Sequence, residues 1–244
     1  MGPGFLHDYR MTEDEMLDQV FHAEPVPAMS QLAVLPFLSA VEGFLKGGKD
    51  VPRLRLTIHR VMSRMNLGYL QQVCPYLGVV DPSWRQKVGR AFPVTKGIMG
   101  AAFKHSCIWR TKEYADRQQL LEDLTNDAVK NGEEINLDTI GLSYLAIPLL
   151  GPGGQAAIIL YAECREFNFF AEDSRVTQVR FMCDALCQLL DWLQEEPLAN
   201  IRNFPFQKGV PVADQETVYG TIQEPWTTLD APRFTKLYSF NLEG

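Results

Sequence analysis

The sequence contains no long hydrophobic run. No apolar stretch in its 244 residues approaches the ~20 that a membrane-spanning helix requires, so a helical membrane protein is not expected. Met1-Gly2-Pro3-Gly4 lacks a basic start followed by an apolar core, so no secretory leader is read there. Leu6 stands where a myristoylation motif wants Ser or Thr. Cysteine is sparse and unpaired: the five cysteines are an odd number without paired spacing and sit inside apolar runs. That pattern fits reduced core cysteines in a cytoplasmic protein rather than a disulfide scaffold. No internal repeat and no low-complexity tract appear.

Acidic residues are nearly missing from one part of the chain. Residues 53–112 carry 11 basic groups and a single acid, Asp81, giving +10, whereas residues 1–52 sum to −5 and residues 113–244 to −12. So uneven a distribution points either to an anionic partner or to pairing with acidic neighbours in the same protein. Nucleic acid is not the expected partner, because the whole chain is negative and no nucleic-acid-binding motif is present.

What is present is best defined between Leu142 and Leu193. Ser143-Tyr144-Leu145-Ala146-Ile147-Pro148-Leu149-Leu150 reads as a strand. Gly151-Pro152-Gly153-Gly154 reads as a turn, and the run from Gln155 to Cys164 as the returning strand of an antiparallel hairpin. A long amphipathic helix is predicted from about Ala171. Val176, Val179, Cys183, Leu186, Leu190 and Leu193 recur at alternating steps of three and four and lie on one stripe.

Upstream, Thr12-Glu13-Asp14-Glu15 has capping-box form and predicts a short helix. A second helix is expected from Ala28 to about Lys46, kinked or divided at Pro36 and ended by Gly47-Gly48. Arg53 to Arg60 alternates cleanly. Leu54, Leu56 and Ile58 face one side; Arg53, Arg55, Thr57 and His59 face the other, which predicts a half-buried strand with a basic outer face. A turn at Asn66-Leu67-Gly68 and a paired strand at 69–74 follow, then a basic loop or short helix from Asp81. A short helix over 97–103 is expected, its small residues at 97, 100, 101 and 102 allowing close approach to a sheet. Cys107 to Arg110 reads as a further short strand. A polar helix over 115–129 turns Leu120, Leu121 and Leu124 inward. Residues 197–244 combine closely spaced prolines with Phe204, Phe206, Tyr219, Trp226, Phe234, Tyr238 and Phe240. That composition suits an extended arm docked on its own domain or on a partner, and not a disordered linker. The expected organisation is an N-terminal helical extension at 1–26, a domain at 27–196 and the arm at 197–244.

The ordered set of helix, strand pair, Gly97-Ile98-Met99-Gly100-Ala101-Ala102-Phe103 helix, short strand, helix, hairpin with Ile147-Pro148-Leu149, and long helix opened by Phe169 or Phe170 with Asp173 resembles a GAF domain from Ala28 to Leu193. The resemblance implies an α+β, GAF/PAS-like fold. About six antiparallel strands would carry the first and last long helices on one face and a ligand pocket on the other. It also implies a small-molecule sensor or a dimerisation and partner-binding module. Specialised branches of the family fit less well. The Asn-Lys…Phe…Asp-Glu signature of the cyclic-nucleotide binders keeps the Phe169…Asp173 spacing, but Arg165-Glu166 replaces Asn-Lys and Ser174 follows Asp173. His105 precedes Cys107, where bilin binders have cysteine followed by histidine. Free methionine sulfoxide reductases need several placed cysteines, and only Cys74 and Cys107 lie in the right part of the chain.

Most other candidate chemistry reduces to structure. Gly151 to Gly154 is followed by a strand, whereas a phosphate loop needs a helix N-terminus behind it. Cys183 and Cys187 lack the further ligands of a metal site. No catalytic triad is assignable, so no catalytic residue, metal or cofactor is predicted. The functional lead is the basic face: Arg53, Arg55 and His59 on one strand, with Arg90, Arg110, Trp109 and Tyr144 on segments that could neighbour it. Clustered guanidinium groups suit carboxylate or phosphate. The alternative is internal pairing with Asp214, Glu216 and Glu224 of the arm. Three roles follow. The first is a non-enzymatic regulatory module in a homodimer or protein complex. It would associate through the long-helix stripe, which Phe181, Met182 and Leu189 widen beyond one face. The second is a sensor of an anionic small molecule beside Arg53 and Arg55. The third is a thiol redox sensor or enzyme using Cys107 or Cys74.

Overall fold

The structure is a computed structural model and describes residues 26, 28–64, 67–78, 88–131, 136 and 140–195. The helix expected after Thr12, the loop from Asp81, and the arm at 197–244 with Asp214, Glu216 and Glu224 lie outside the described residues, as does the side chain of Leu193.

Among the described residues, one antiparallel sheet contains β1 (Arg55–Arg64), β2 (Leu67–Gln72), β3 (Ala91–Pro93), β4 (Trp109–Arg110), β5 (Ser143–Leu150) and β6 (Ala156–Cys164). The strand order is β3-β2-β1-β6-β5-β4. The helices are α1 (Ala28–Lys46), α2 (Gly97–His105), α3 (Arg117–Asn131) and α4 (Asp173–Glu195), with a 3₁₀ turn at Phe169–Ala171 leading into α4.

Alternation along the strands divides the core in two. Leu56 and Ile58 of β1, Leu145, Ile147 and Leu149 of β5, and Leu160, Ala162 and Cys164 of β6 form one buried face. Val34, Leu38, Val41 and Leu45 of α1 and Val176, Val179, Cys183 and Leu186 of α4 cover it. The first and last long helices therefore share this face, as the resemblance to a GAF domain implies. Each fully buried Leu or Val adds about 1.5–3 kcal/mol relative to an exposed one, so this layer carries most of the hydrophobic stabilisation. On the opposite face α2 packs Ala102 with Leu70, Ala146 and Ile159. A satellite cluster joins Leu120 of α3 to Tyr114 and Leu142.

Several boundaries move. α1 runs through Pro36 as one helix. Pro36 is exposed, so its missing N–H falls on the solvent side and the buried stripe passes uninterrupted. Gly47, at φ +52°, ends α1, its amide bonding to the Gly43 carbonyl at 3.0 Å. β1 starts at Arg55, because Arg53 sits in a turn at φ +51°. Leu67 and Gly68 belong to β2 rather than to a turn, pairing with Arg64 and Ser63. Of the small residues in α2, Ala102 meets the sheet cluster. Gly100 instead lies against its own preceding turn, where a Cβ would come 2.8 Å from the Val94 carbonyl oxygen.

Candidate functional site

The face under α2 is where the chemistry collects. The register sets His59 opposite Gln72 on one side and Ile159 on the other, Thr57 opposite Tyr161, and Arg55 opposite Glu163. Tyr144 lies opposite Glu163 on β5. Arg55, Thr57, His59, Gln72, Tyr144, Tyr161 and Glu163 therefore share one face of the sheet. Thr57, His59 and Gln72 are fully buried, and Glu163 keeps only 6% of its surface. Four adjacent buried polar residues are a departure from an apolar sheet face, because each must be hydrogen-bonded or pay its desolvation.

One end of this row is satisfied. Arg55 forms an ion pair with Glu163, and the Tyr161 hydroxyl donates to the same carboxylate. The Arg55 guanidinium lies 5.1 Å from the centroid of the Tyr76 ring. Burial, reinforced by the Glu163 charge, pushes the Tyr161 phenol well above its ordinary value, and Tyr144 likewise. Burial also raises Tyr76, against the opposing Arg55 charge. All three are neutral hydroxyls at physiological pH. Thr57 donates to the Cys74 carbonyl at 2.8 Å, and Gln72 Nε2 to the same oxygen at 2.9 Å.

The other end is not satisfied. Neither ring nitrogen of His59 has a hydrogen-bond partner among the described residues, and neither has Gln72 Oε1. The His59 ring is edge-on to Phe92, with centroids 5.2 Å apart, and to Tyr161 at 6.2 Å. Arg90 sits 5.1 Å from the Phe92 centroid. Burial first, and the Arg90 charge second, push the imidazole pKa down to about 3. His59 is therefore neutral, with one nitrogen a donor and the other an acceptor.

The predicted site residues separate into groups. Arg55, His59 and Tyr144 converge on this face, with Arg90 beside them. The outward basic face is corrected: His59 is buried, and Arg55 is paired to Glu163 within the sheet. Arg53 is exposed in its turn, away from the row. Arg110 pairs across from Leu145 and so points to the helix-covered face. There its guanidinium donates to the carbonyls of Ala171 at 2.8 Å and Phe170 at 3.1 Å, and it forms an ion pair with Asp173. It fastens β4 to the start of α4. Trp109 is exposed at the sheet edge beside His105, 5.6 Å between ring centroids. The expected association stripe is largely internal: Val176, Val179, Cys183 and Leu186 are buried and Leu190 packs against the same core. Phe181 alone of the added residues is exposed, at 53%. Cys107, expected to be buried in a strand, is exposed. Among the described residues no group of three or more His, Cys, Asp or Glu is placed to hold a metal ion, and no helix is long and apolar enough to cross a membrane.

Sequence reasoning missed Gln72, Tyr76, Phe92, Tyr161 and Glu163. The available signal was the spacing of Tyr161 and Glu163 in a run otherwise read as wholly apolar. Their period of two matches that of Arg55, Thr57 and His59.

No protein-family model and no curated protein sequence matches the chain. Solved structures similar to it include a type II free methionine-R-sulfoxide reductase from Thermoplasma acidophilum, at 10% identity, covering 66% of this chain and 94% of that one with a TM-score of 0.44. The GAF domain of an Acinetobacter phosphoenolpyruvate-protein phosphotransferase is 11% identical, covering 69% and 96%, with a TM-score of 0.42. A GAF domain region of a Geobacter sulfurreducens membrane protein is 15% identical, covering 67% and 99%, with a TM-score of 0.42. The chain is similar in outline to GAF domains. A likeness of that size concerns the arrangement of strands and helices and assigns neither ligand nor chemistry.

Proposed function

We propose that this chain is a non-catalytic regulatory domain that binds a small molecule on the α2 face of its sheet. The observation that carries the reading is the pair His59 and Gln72, fully buried and opposite each other, with three polar atoms left without partners among the described residues. Leaving one buried donor or acceptor unmade costs about 1–3 kcal/mol. A fold does not keep three such atoms together in its interior for packing alone, whereas a binding site needs convergent, preorganised polar groups in an apolar surround. Phe92, Val61 and Ile159 supply that surround beside the α2 cluster. Arg110 then ties the edge strand β4, which follows α2, to the first turn of α4, so occupancy beneath α2 has a mechanical route to the long helix. The output would pass to a partner protein or a second copy.

Thiol redox chemistry is less well supported. Cys74 is buried, and burial raises its pKa against the opposing bond from Thr57, whereas reactive thiols need a depressed one.

Native mass spectrometry of the purified full chain tests the proposal. A small-molecule adduct that is lost on denaturation and lacking in His59→Leu supports it. A chain that carries no adduct, and whose melting temperature responds to no compound in a broad metabolite screen, counts against it.

A further inference from the structure

A cavity of about 440 Å³ opens on the helix-covered side of the sheet, away from the polar row. Its volume is that of a small-molecule site. It lies between the C-terminal end of α1 and the first turns of α4, and residues 47–51 and Glu166 complete its wall. Leu45, Val51 and Phe169, all members of the buried core, give it an apolar floor. Phe44 also lines it and is 41% exposed, so an aromatic surface is open to a ligand.

The charges around the cavity are of two kinds. Lys46 is paired with Glu42 at 2.6 Å. Arg175 is paired with Glu172 at 2.7 Å, donates to the Phe169 carbonyl and covers the Phe169 ring, 4.0 Å from its centroid. Those two cations are committed. Lys49, Asp50 and Glu166 are exposed and have no side-chain partner among the described residues, which leaves one carboxylate in excess. The two helix ends bring opposite partial charges and largely offset each other. A cation therefore meets net attraction and an anion net repulsion. The open face of Phe44 adds to the first, because a ring quadrupole attracts cations.

We infer that this cavity binds a small organic cation, a protonated amine on an apolar body. The body lies against Phe44, Leu45 and Val51, and the ammonium is held by Asp50 and Glu166. The inference does not rest on the site under α2. A ligand in this cavity touches the end of α1 and the start of α4 together, so its occupancy fastens the two helices that cover the apolar face.

The test uses three probes with one benzene body: phenethylamine, phenylalanine and 3-phenylpropionate, which are cation, zwitterion and anion. Each is titrated into the full chain by calorimetry and followed by thermal melting. The amine should bind with a Kd of about 1 mM or tighter, more weakly as salt is raised. At ten times Kd it should raise Tm by about 3–6 °C. Phenylalanine should bind less well and 3-phenylpropionate not at all. Asp50→Asn and Glu166→Gln should each weaken the amine about threefold, the scale of one exposed ion pair. Lys49→Glu should tighten it by at least as much, a gain that a damaged fold does not produce. Binding of 3-phenylpropionate as tight as that of the amine would overturn the charge assignment. Amine binding unmoved by all three variants would overturn the location, and silence toward all three probes would overturn the site.

Discussion

The two faces of the sheet are built on opposite terms. Under α1 and α4, β1 contributes Leu56 and Ile58, β6 contributes Leu160, Ala162 and Cys164, and the helices meet them with Val, Leu and Phe. Under α2, the same strands contribute Arg55, Thr57, His59, Tyr161 and Glu163. The alternation that fills one core with hydrocarbon loads the other with polar groups. The first face is complete in itself. The second closes its polar groups at the Arg55–Glu163 end and leaves them open at the His59–Gln72 end. Apolar packing is thus concentrated on one side and unpartnered polar groups on the other.

Truncation should separate the faces most sharply. Leu38 is fully buried on α1, and Leu38→Ala should cost about 2–5 kcal/mol through lost transfer energy and a cavity. His59→Leu on the other face should be neutral or stabilising, since it removes orphaned polar atoms without leaving a cavity. Urea unfolding monitored by circular dichroism measures both. Equal losses would mean that His59 is satisfied in solution and that the faces do not differ as described.

Next in size is the closed end of the polar face. Glu163→Gln strips the counter-ion from Arg55, whose side chain keeps 30% exposure. The loss should be about 2–3 kcal/mol, below that of a fully buried pair because water reaches the guanidinium. The double variant Arg55→Met, Glu163→Met should recover most of it, since an apolar pair of similar size often replaces a buried ion pair without loss. A double variant as unstable as the single one would show that Tyr161 and Tyr76 depend on the charges themselves.

Much of this contrast was legible in the sequence. The period of two in Leu54–His59 and the stripe of α4 fixed which residues share a face, because periodicity reports geometry directly. What covers each face was not legible. His59 was expected outward because a basic alternating strand ordinarily faces water, yet Phe92 and Tyr161 come from elsewhere in the chain to lie against its ring, which keeps no exposed surface. The α4 stripe was identified correctly and assigned wrongly. A helix stripe shows that something covers it, and here β5, β6 and α1 do so. Arg110 shows the same gap: its partners, the Phe170 and Ala171 carbonyls, lie 60 and 61 residues away, and no local pattern announces them.

The pH dependence sharpens the contrast from within the second face. His59 has a folded pKa of about 3 against an ordinary 6.5. The folded imidazole resists a proton that the unfolded chain accepts. Stability is therefore at its full value above about pH 6.5 and falls as pH drops toward 3. The slope attributable to His59 is of order 1 kcal/mol per pH unit across that window. The Arg90 charge repels a proton on the ring and acts in the same direction as burial. His59→Leu should flatten the slope between pH 6 and 4 by about one proton, read from urea midpoints at a series of pH values. An unchanged slope would mean that the buried ring is protonated in the fold.

The smallest effect belongs to the outer side of the first face. Phe181 is 53% exposed on α4, its ring 5.3 Å from the Arg180 guanidinium carbon. Phe181→Ser should change stability by less than about 0.5 kcal/mol, as surface substitutions usually do. Its value lies in mass rather than stability. With Val176, Val179, Cys183 and Leu186 committed to the core, self-pairing through α4 has only the outward residues to use. Light scattering on the full chain and on Phe181→Ser decides the matter. A dimer that becomes a monomer in the variant places the contact on the outer face of α4. A dimer that persists moves it off that face, and a monomer in both means that α4 serves the fold of one chain.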